Sequence, residues 1–144
     1  MIVAGGVFLF KKVTILHLEN VDHPRAIRVW INPSKGFSIF YIHSIYKEHV
    51  IEEFQAEQEA IVLRGVRTKS PAVAEYYGFE DAREYYPVNR RMKSFFLRVG
   101  MTNPQMISCE RASLSLEEIG DKGDRVEIRL VSMTLARYLL SLSR

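Results

Sequence analysis

A histidine and a glutamate lie nine residues apart in a segment that reads as two short β-strands joined by a polar turn, Tyr41-Ile-His-Ser-Ile-Tyr-Lys-Glu-His-Val-Ile-Glu-Glu-Phe54. A two-residue loop at Lys47-Glu48 would place His43 opposite Glu52 in a β-hairpin. A carboxylate opposite an imidazole in a partly dry setting favours the protonated histidine. Such a pair can hold an anion or a hydrogen-bonding solute.

The predicted ligand- or partner-binding residues of this hairpin are Tyr41, His43, Ser44 and Glu52. Tyr41 is expected on the face of the pair, and Ser44 on the opposite face of the strand, so Ser44 cannot act as a nucleophile activated by His43. Two other hypotheses stay open. His43 could be the general base of an enzyme, oriented by Glu52, or the pair could be a purely structural lock that sets strand register.

A second feature is the aromatic and acidic central segment from residue 75 to residue 86. Tyrosine offers a large contact area with a polar group at its tip, which suits a lid or a docking surface. The four tyrosines assigned to this lid or docking surface are Tyr76, Tyr77, Tyr85 and Tyr86. The alternative interpretation is that they plug one open end of the β-structure.

Composition narrows the function classes. A chain of 144 residues with 47% hydrophobic and 26% charged residues is typical of one folded domain. The formal charge of +3 is small and spread out, so no nucleic-acid partner is predicted. Cys109 is the single cysteine, and the four histidines lack the spacing of metal ligands. We therefore predict no metal and no cofactor, and the oligomeric state is left open.

The elements that must position these residues are mostly short strands separated by turn signals. Strands are predicted at 13–18, 26–31, 36–45, 50–54, 60–68, 94–99, 106–116 and 125–131. A short helix is predicted from Ser70-Pro71 to Gly78, a second at 80–86 that ends at Pro87, and a closing helix at 134–142. The pattern indicates an antiparallel β-sandwich or flattened barrel with a short central helical insertion and a C-terminal helix.

The first twelve residues have two interpretations. The apolar run Met1 to Phe10, followed by Lys11-Lys12, is too short to span a bilayer, which takes about 20 residues. It is either the first strand of the domain or the remnant of an N-terminal membrane anchor. Residues 13–144 are expected to form a single mostly-β domain.

The hairpin also carries a resemblance to a known family. Tyr41-Ile-His-Ser-Ile45 followed by Val50-Ile-Glu52 resembles the signature of an uncharacterised bacterial family, the domain of unknown function number eighteen-fifty, often encoded beside TAXI-type TRAP transporter genes. Arg125-Val-Glu-Ile-Arg-Leu130 resembles its closing strand, and the resemblance covers residues 26–131. It implies an exported, periplasmic or membrane-anchored protein that accompanies a solute transporter, and it implies no catalytic activity.

Taken together, the residues predict a non-enzymatic binding or accessory protein, and the resemblance implies its association with a TRAP-type solute transporter. The expected partner is a small organic solute or a transporter component, with membrane association through the N-terminus. The expected location is periplasmic or extracytoplasmic, and a cytoplasmic location stays open because the single cysteine is compatible with either compartment.

Overall fold

Strand pairing divides the chain into two antiparallel sheets. The structure is a computed structural model that describes residues 3–143. Its elements are α1 (Val3–Leu9), β1 (Lys12–Asn20), β2 (Arg25–Ile31), β3 (Phe37–Ile42), β4 (His49–Glu57), β5 (Ala60–Arg67), α2 (Pro71–Tyr76), β6 (Tyr85–Met92), β7 (Ser94–Arg98), β8 (Met106–Cys109), β9 (Ser113–Ser115), β10 (Arg125–Thr134) and α3 (Leu135–Leu142). The four-stranded sheet has the order β2-β1-β10-β7 and the six-stranded sheet the order β6-β5-β4-β3-β8-β9. The predicted mostly-β antiparallel fold is confirmed.

Alternating side chains from both sheets form one shared apolar core. Leu18 on β1, Ile39 on β3 and Ile128 on β10 are all 0% exposed. Period-2 alternation sends successive side chains to opposite faces of a strand, so each strand contributes every second residue to this core. β3 lies in the interior of its sheet between β4 and β8, in keeping with its apolar character on both faces.

The helix α3 covers one end of the outer face of the four-stranded sheet. Its Thr134 cap accepts a hydrogen bond from the backbone N–H of Arg137, the usual role of threonine at a helix start. Leu135 packs with Val13 and Ile15, and the Trp30 ring meets the Tyr138 ring edge-on at 6.4 Å. The predicted closing helix is confirmed.

The N-terminal segment is helical where it is described. The strand interpretation of residues 1–12 is wrong for this part, because α1 spans Val3–Leu9 and only Lys12 joins a strand; Met1 and Ile2 lie outside the described residues. The cause lies in the partner strand. Lys12 pairs with Thr134, where β10 ends and the chain turns into α3, so residues before Lys12 have no strand to pair with.

The central insertion contains one helix instead of two. α2 begins after Ser70, whose hydroxyl accepts from the Val73 N–H, and the chain leaves it through Gly78 at φ +81°. The predicted second helix at 80–86 is wrong. β6 begins at Tyr85 and continues through Pro87, which an edge strand tolerates because the missing N–H can face away from the ladder.

The predicted strand at 106–116 is divided into β8 and β9. These two strands pair with each other, Ile107 opposite Leu114, so the chain reverses direction between Cys109 and Ser113. The apolar residues at both ends of the segment made it read as one strand. The reversal at Glu110-Arg111 carries no glycine or proline to mark it.

Candidate functional site

The β3–β4 hairpin has a longer loop than the sequence predicted. Ile42 pairs with His49, and Ile39 pairs with Glu52, so the predicted pairing of His43 with Glu52 is wrong. The loop is closed by hydrogen bonds from the His43 N–H to the Glu48 carbonyl (2.8 Å) and from the Lys47 N–H to the His43 carbonyl (2.9 Å). Four residues, Ser44 to Lys47, therefore form the loop that was expected to have two.

The His43 side chain organises this loop. Its Nδ1 accepts hydrogen bonds from the backbone N–H groups of Ile45 (3.3 Å) and Tyr46 (3.4 Å). The ring is buried, stacks on Tyr46 at 5.1 Å and meets the edge of Tyr76 at 4.8 Å. The imidazole thus acts as aspartate or asparagine does in an Asx-turn, giving the loop N–H groups a side-chain acceptor. This role explains why a histidine occupies the position without requiring a ligand.

Glu52 and Tyr41 are nevertheless brought together. Tyr41 lies opposite Val50 rather than opposite Phe54, a displacement of four residues. An even displacement leaves every side chain on the face that was predicted for it. Tyr41 and Glu52 therefore share the inner face of the six-stranded sheet, together with Ile39 and Phe54.

Tyr77 completes what we call the polar cluster, which consists of Tyr41, Glu52 and Tyr77. The Tyr77 hydroxyl donates to Glu52 Oε1 at 2.8 Å and the Tyr41 hydroxyl donates to the same oxygen at 3.4 Å. The two hydroxyls also contact each other. Tyr77 follows the last turn of α2, so the helical insertion, by ending over β3 and β4, places the third member.

Burial dominates the electrostatics of the cluster. It raises the pKa of the Glu52 carboxyl, against the lowering effects of the two tyrosine hydrogen bonds and of the Arg90 charge. Burial, with the nearby Glu52 charge as a smaller cause, also raises the pKa values of Tyr41 and Tyr77. The hydroxyls therefore stay protonated near neutral pH and serve as donors, while Glu52 is the group whose charge can change.

The four tyrosines predicted as one lid divide into separate roles. Tyr76 is 62% exposed and Tyr77 belongs to the polar cluster. Tyr86 is buried and stacks on Phe79 at 4.2 Å. Tyr85 lies over Gly65, where a Cβ atom would come within 2.2 Å of the Tyr85 ring. Ser44, also predicted at the site, is exposed in the hairpin loop.

A cluster of metal-ligand types occurs at His23, Asp121 and Asp124. Asp124 Oδ2 accepts from the Asn20 side chain (2.8 Å), from the Asp121 N–H (2.9 Å) and forms a third hydrogen bond to His23 Nδ1 (2.9 Å). These hydrogen bonds, that of Asn20 first, lower the pKa of Asp124. Asp124 Oδ2 already has three hydrogen-bond partners, so these residues link the end of β1 to the segment just before β10.

A second surface, which we call the apolar end, was foreseen from the sequence only at the N-terminus and not at α3. It is formed by α1, α3 and the residue after α1, where Val7 is 70%, Phe10 76% and Leu140 70% exposed. The two helices contact each other, and the Leu135 N–H donates to the Lys11 carbonyl at 2.9 Å. The signal at α3 was its run of leucines, of which Leu139, Leu140 and Leu142 are exposed.

Comparison of the chain with protein-family models, with curated proteins and with solved structures found no match. Among residues 3–143, no helix has the length and apolar character needed to cross a bilayer.

Proposed function

We propose that this chain is a non-enzymatic accessory domain that binds the surface of an anionic membrane through its apolar end. The observation that carries the proposal is the exposure of large apolar side chains on α1, on the residue after it and on α3: Val7, Phe8, Leu9, Phe10, Leu139, Leu140 and Leu142. Contiguous exposed apolar surface of this kind is uncommon on a free soluble domain and is typical of protein or membrane contacts.

The charges around the apolar end favour a membrane over a protein partner. No acidic residue occurs before Glu19 or after Glu127 in the sequence, whereas Lys11, Lys12 and Arg137 are all basic and exposed. Apolar side chains flanked by lysine and arginine are the composition of helices that lie in the interface of anionic bilayers. Each such lysine contributes about 1 kcal/mol of attraction near an anionic surface.

The transporter association rests on the resemblance alone. The Tyr-x-His-Ser hairpin resembles a family encoded beside TRAP transporter genes, which supports an accessory role on the extracytoplasmic side. An enzymatic role with His43 as general base has less support, because His43 Nδ1 accepts loop N–H groups and Glu52 makes its hydrogen bonds to tyrosines.

Sedimentation with lipid vesicles tests the membrane proposal. We expect the protein to bind vesicles that contain one quarter phosphatidylglycerol and to bind pure phosphatidylcholine vesicles at least tenfold more weakly. The double variant Phe8→Glu with Leu140→Glu should lose binding to both. Met101→Glu is the matched control, because Met101 is an equally accessible apolar residue, 65% exposed, outside the apolar end.

Two results would overturn the proposal. The first is equal binding to anionic and uncharged vesicles, which would remove the role of Lys11 and Lys12. The second is equal loss in the Met101→Glu control, which would show that the added charge, not its position, decides binding. Lys11→Gln with Lys12→Gln tests the charges separately and should weaken binding about tenfold or more.

A further inference from the structure

Glu52 is a half-buried carboxyl group without a cationic partner among residues 3–143. Its hydrogen bonds come from the Tyr41 and Tyr77 hydroxyls, both to Oε1. Arg90 lowers the pKa of Glu52 through its charge, but forms no ion pair with it in the described part of the chain. Carboxylates that leave water are normally paired with a cation or protonated. The described part of the chain supplies Glu52 with no such cation, and burial raises the pKa of its carboxyl group.

The second carboxyl oxygen is free to accept a ligand. Oε2 of Glu52 has no hydrogen-bond partner within the described residues. Every fully buried side-chain oxygen of those residues does have a partner, so Oε2 is not fully buried. Oε2 therefore keeps some access to solvent. The two tyrosine hydroxyls hold the carboxyl group by Oε1, so the direction of Oε2 is fixed before any ligand arrives.

The groups around this oxygen suit a cation. Tyr77 stacks on Phe79 at 5.9 Å and meets Tyr76 edge-on at 5.9 Å, so its hydroxyl reaches Glu52 from an aromatic cluster. A charged N–H donor forms a strong hydrogen bond with a carboxylate. An anionic ligand would be repelled by Glu52, and an apolar ligand would leave Oε2 without a partner.

The segment that carries Tyr77 also has the opposite charge to the whole chain. Its exposed residues Glu75, Glu80, Asp81 and Glu84 outnumber Arg83, in a protein with a net charge of +3. A groove of about 600 Å³ between α2 and the following loop is lined by Glu75, Glu80 and Asp81 and lies outside the polar cluster, since none of the cluster's three members lines it. A surface of one charge sign raises the local concentration of the opposite ion.

We propose that the polar cluster of Tyr41, Glu52 and Tyr77 is a binding site for a protonated primary amine. The ammonium group donates to Oε2 of Glu52, while the two hydroxyls continue to hold Oε1. No covalent bond changes. Where Glu52 is protonated in the free protein, binding of the ammonium releases that proton to solvent. The site does not depend on the membrane proposal, since it lies on the inner face of the six-stranded sheet and not on α1 or α3.

Titration with n-butylammonium, n-butyrate and n-butanol tests the site, because the three probes share a chain and differ in the head group. We expect saturable binding of butylammonium and no saturable binding of the other two probes. Binding is measured by the ¹³C chemical shift of the Glu52 carboxyl carbon. Glu52→Gln should weaken binding at least tenfold, because it removes the negative charge and keeps the shape. Glu53→Gln is the matched control, since Glu53 lies on the other face and pairs with Arg67 at 2.5 Å.

The pH dependence provides an independent measurement. Butylammonium affinity should rise as pH increases through the Glu52 titration and then level off, because only the ionised carboxylate pairs with the ammonium. Tyr41, Tyr77 and Arg90 are the other groups that act on Glu52. Equal binding of butylammonium by wild type and Glu52→Gln, or equal binding of butyrate and butanol by the wild type, would overturn the proposal. Tyr77→Phe repeats the test if Glu52→Gln does not fold, with an expected loss of severalfold.

Discussion

The His43 loop and the polar cluster belong to the same hairpin and use their polar groups in opposite ways. His43 directs its ring nitrogen at the backbone of its own loop, at Ile45 and Tyr46. Glu52 takes side-chain hydroxyls on one oxygen and leaves the other without a described partner. The difference teaches that proximity in a hairpin does not make two polar residues a site. His43 fixes the conformation of the loop, and Glu52 keeps one carboxyl oxygen available for the proposed ligand.

The largest expected effect is at His43. His43→Ala should lower the free energy of unfolding by about 2–3 kcal/mol, because a buried ring and the acceptor of two N–H groups are lost together. His43→Asn should recover part of that loss, since its side-chain oxygen can take the same loop N–H groups. Urea denaturation measures both. His49→Ala, at an exposed position of the same hairpin, is the control and should change stability by about 0.5 kcal/mol or less.

Glu52→Gln should stabilise the protein, whereas His43→Ala should destabilise it. It should raise the free energy of unfolding at pH 8 by about 1 kcal/mol, because it removes a half-buried charge that has no cation and keeps the acceptor for Tyr41 and Tyr77. The folded-state pKa of Glu52 is raised above its ordinary value of 4.5. Its contribution to wild-type stability is therefore fully present below pH 4.5 and is lost as pH rises through the folded pKa. A difference between wild type and variant that does not change with pH would contradict this.

Tyr77→Phe should lower stability by about 1 kcal/mol, the usual net value of one side-chain hydrogen bond. Tyr76→Phe removes a hydroxyl from the neighbouring residue, which is 62% exposed, and should have almost no effect. Thermal denaturation of the pair distinguishes a role of the hydroxyl in the polar cluster from a general effect of altering the end of α2. Equal values for both variants would remove Tyr77 from the cluster.

The smallest expected effect is at Lys47, which has φ 57° in the hairpin loop. Lys47→Gly should raise the free energy of unfolding by about 0.5 kcal/mol, because glycine adopts left-handed backbone conformations without the steric cost of a Cβ atom. Urea denaturation in triplicate can resolve this change. A destabilised variant would show that the loop conformation of the hairpin is not the one described.

Much of the fold follows from local patterns. Alternation of apolar and polar residues located the strands on both sides of Asn20, and Ser70-Pro71 with Gly78 marked the ends of α2. The predictions that were wrong have a common physical cause, because they depend on which strand a segment can pair with. Residues 3–9 have no strand to pair with because β10 ends at Thr134, and Pro87 is tolerated in a strand because β6 is at a sheet edge. Neither the end of β10 nor the edge position of β6 can be predicted from the neighbouring residues in the sequence.

The site was predictable in part for the same reason. Tyr41 and Glu52 were assigned to one face correctly, because alternation is insensitive to an even displacement of register. His43 was assigned a partner across the sheet because a two-residue loop was assumed at Lys47-Glu48, whereas the loop has four residues. Tyr77 was placed in a lid, and its approach to Glu52 depends on how α2 ends over β3 and β4. That tertiary contact has no local signal.

The pairing of β1 with β10 also has a consequence for how the chain assembles. Lys12 meets Thr134 across this pair, so the four-stranded sheet joins the first and last strands of the domain. β3, β4, β5 and β6, in contrast, pair in chain order. Pairings between distant segments form slowly because their loop-closure entropy must be overcome first. During synthesis on the ribosome, we therefore expect β1 to pair with β2 early and the strands from β3 to β6 to pair early, while the other edge of β1 stays unpaired until β10 has emerged.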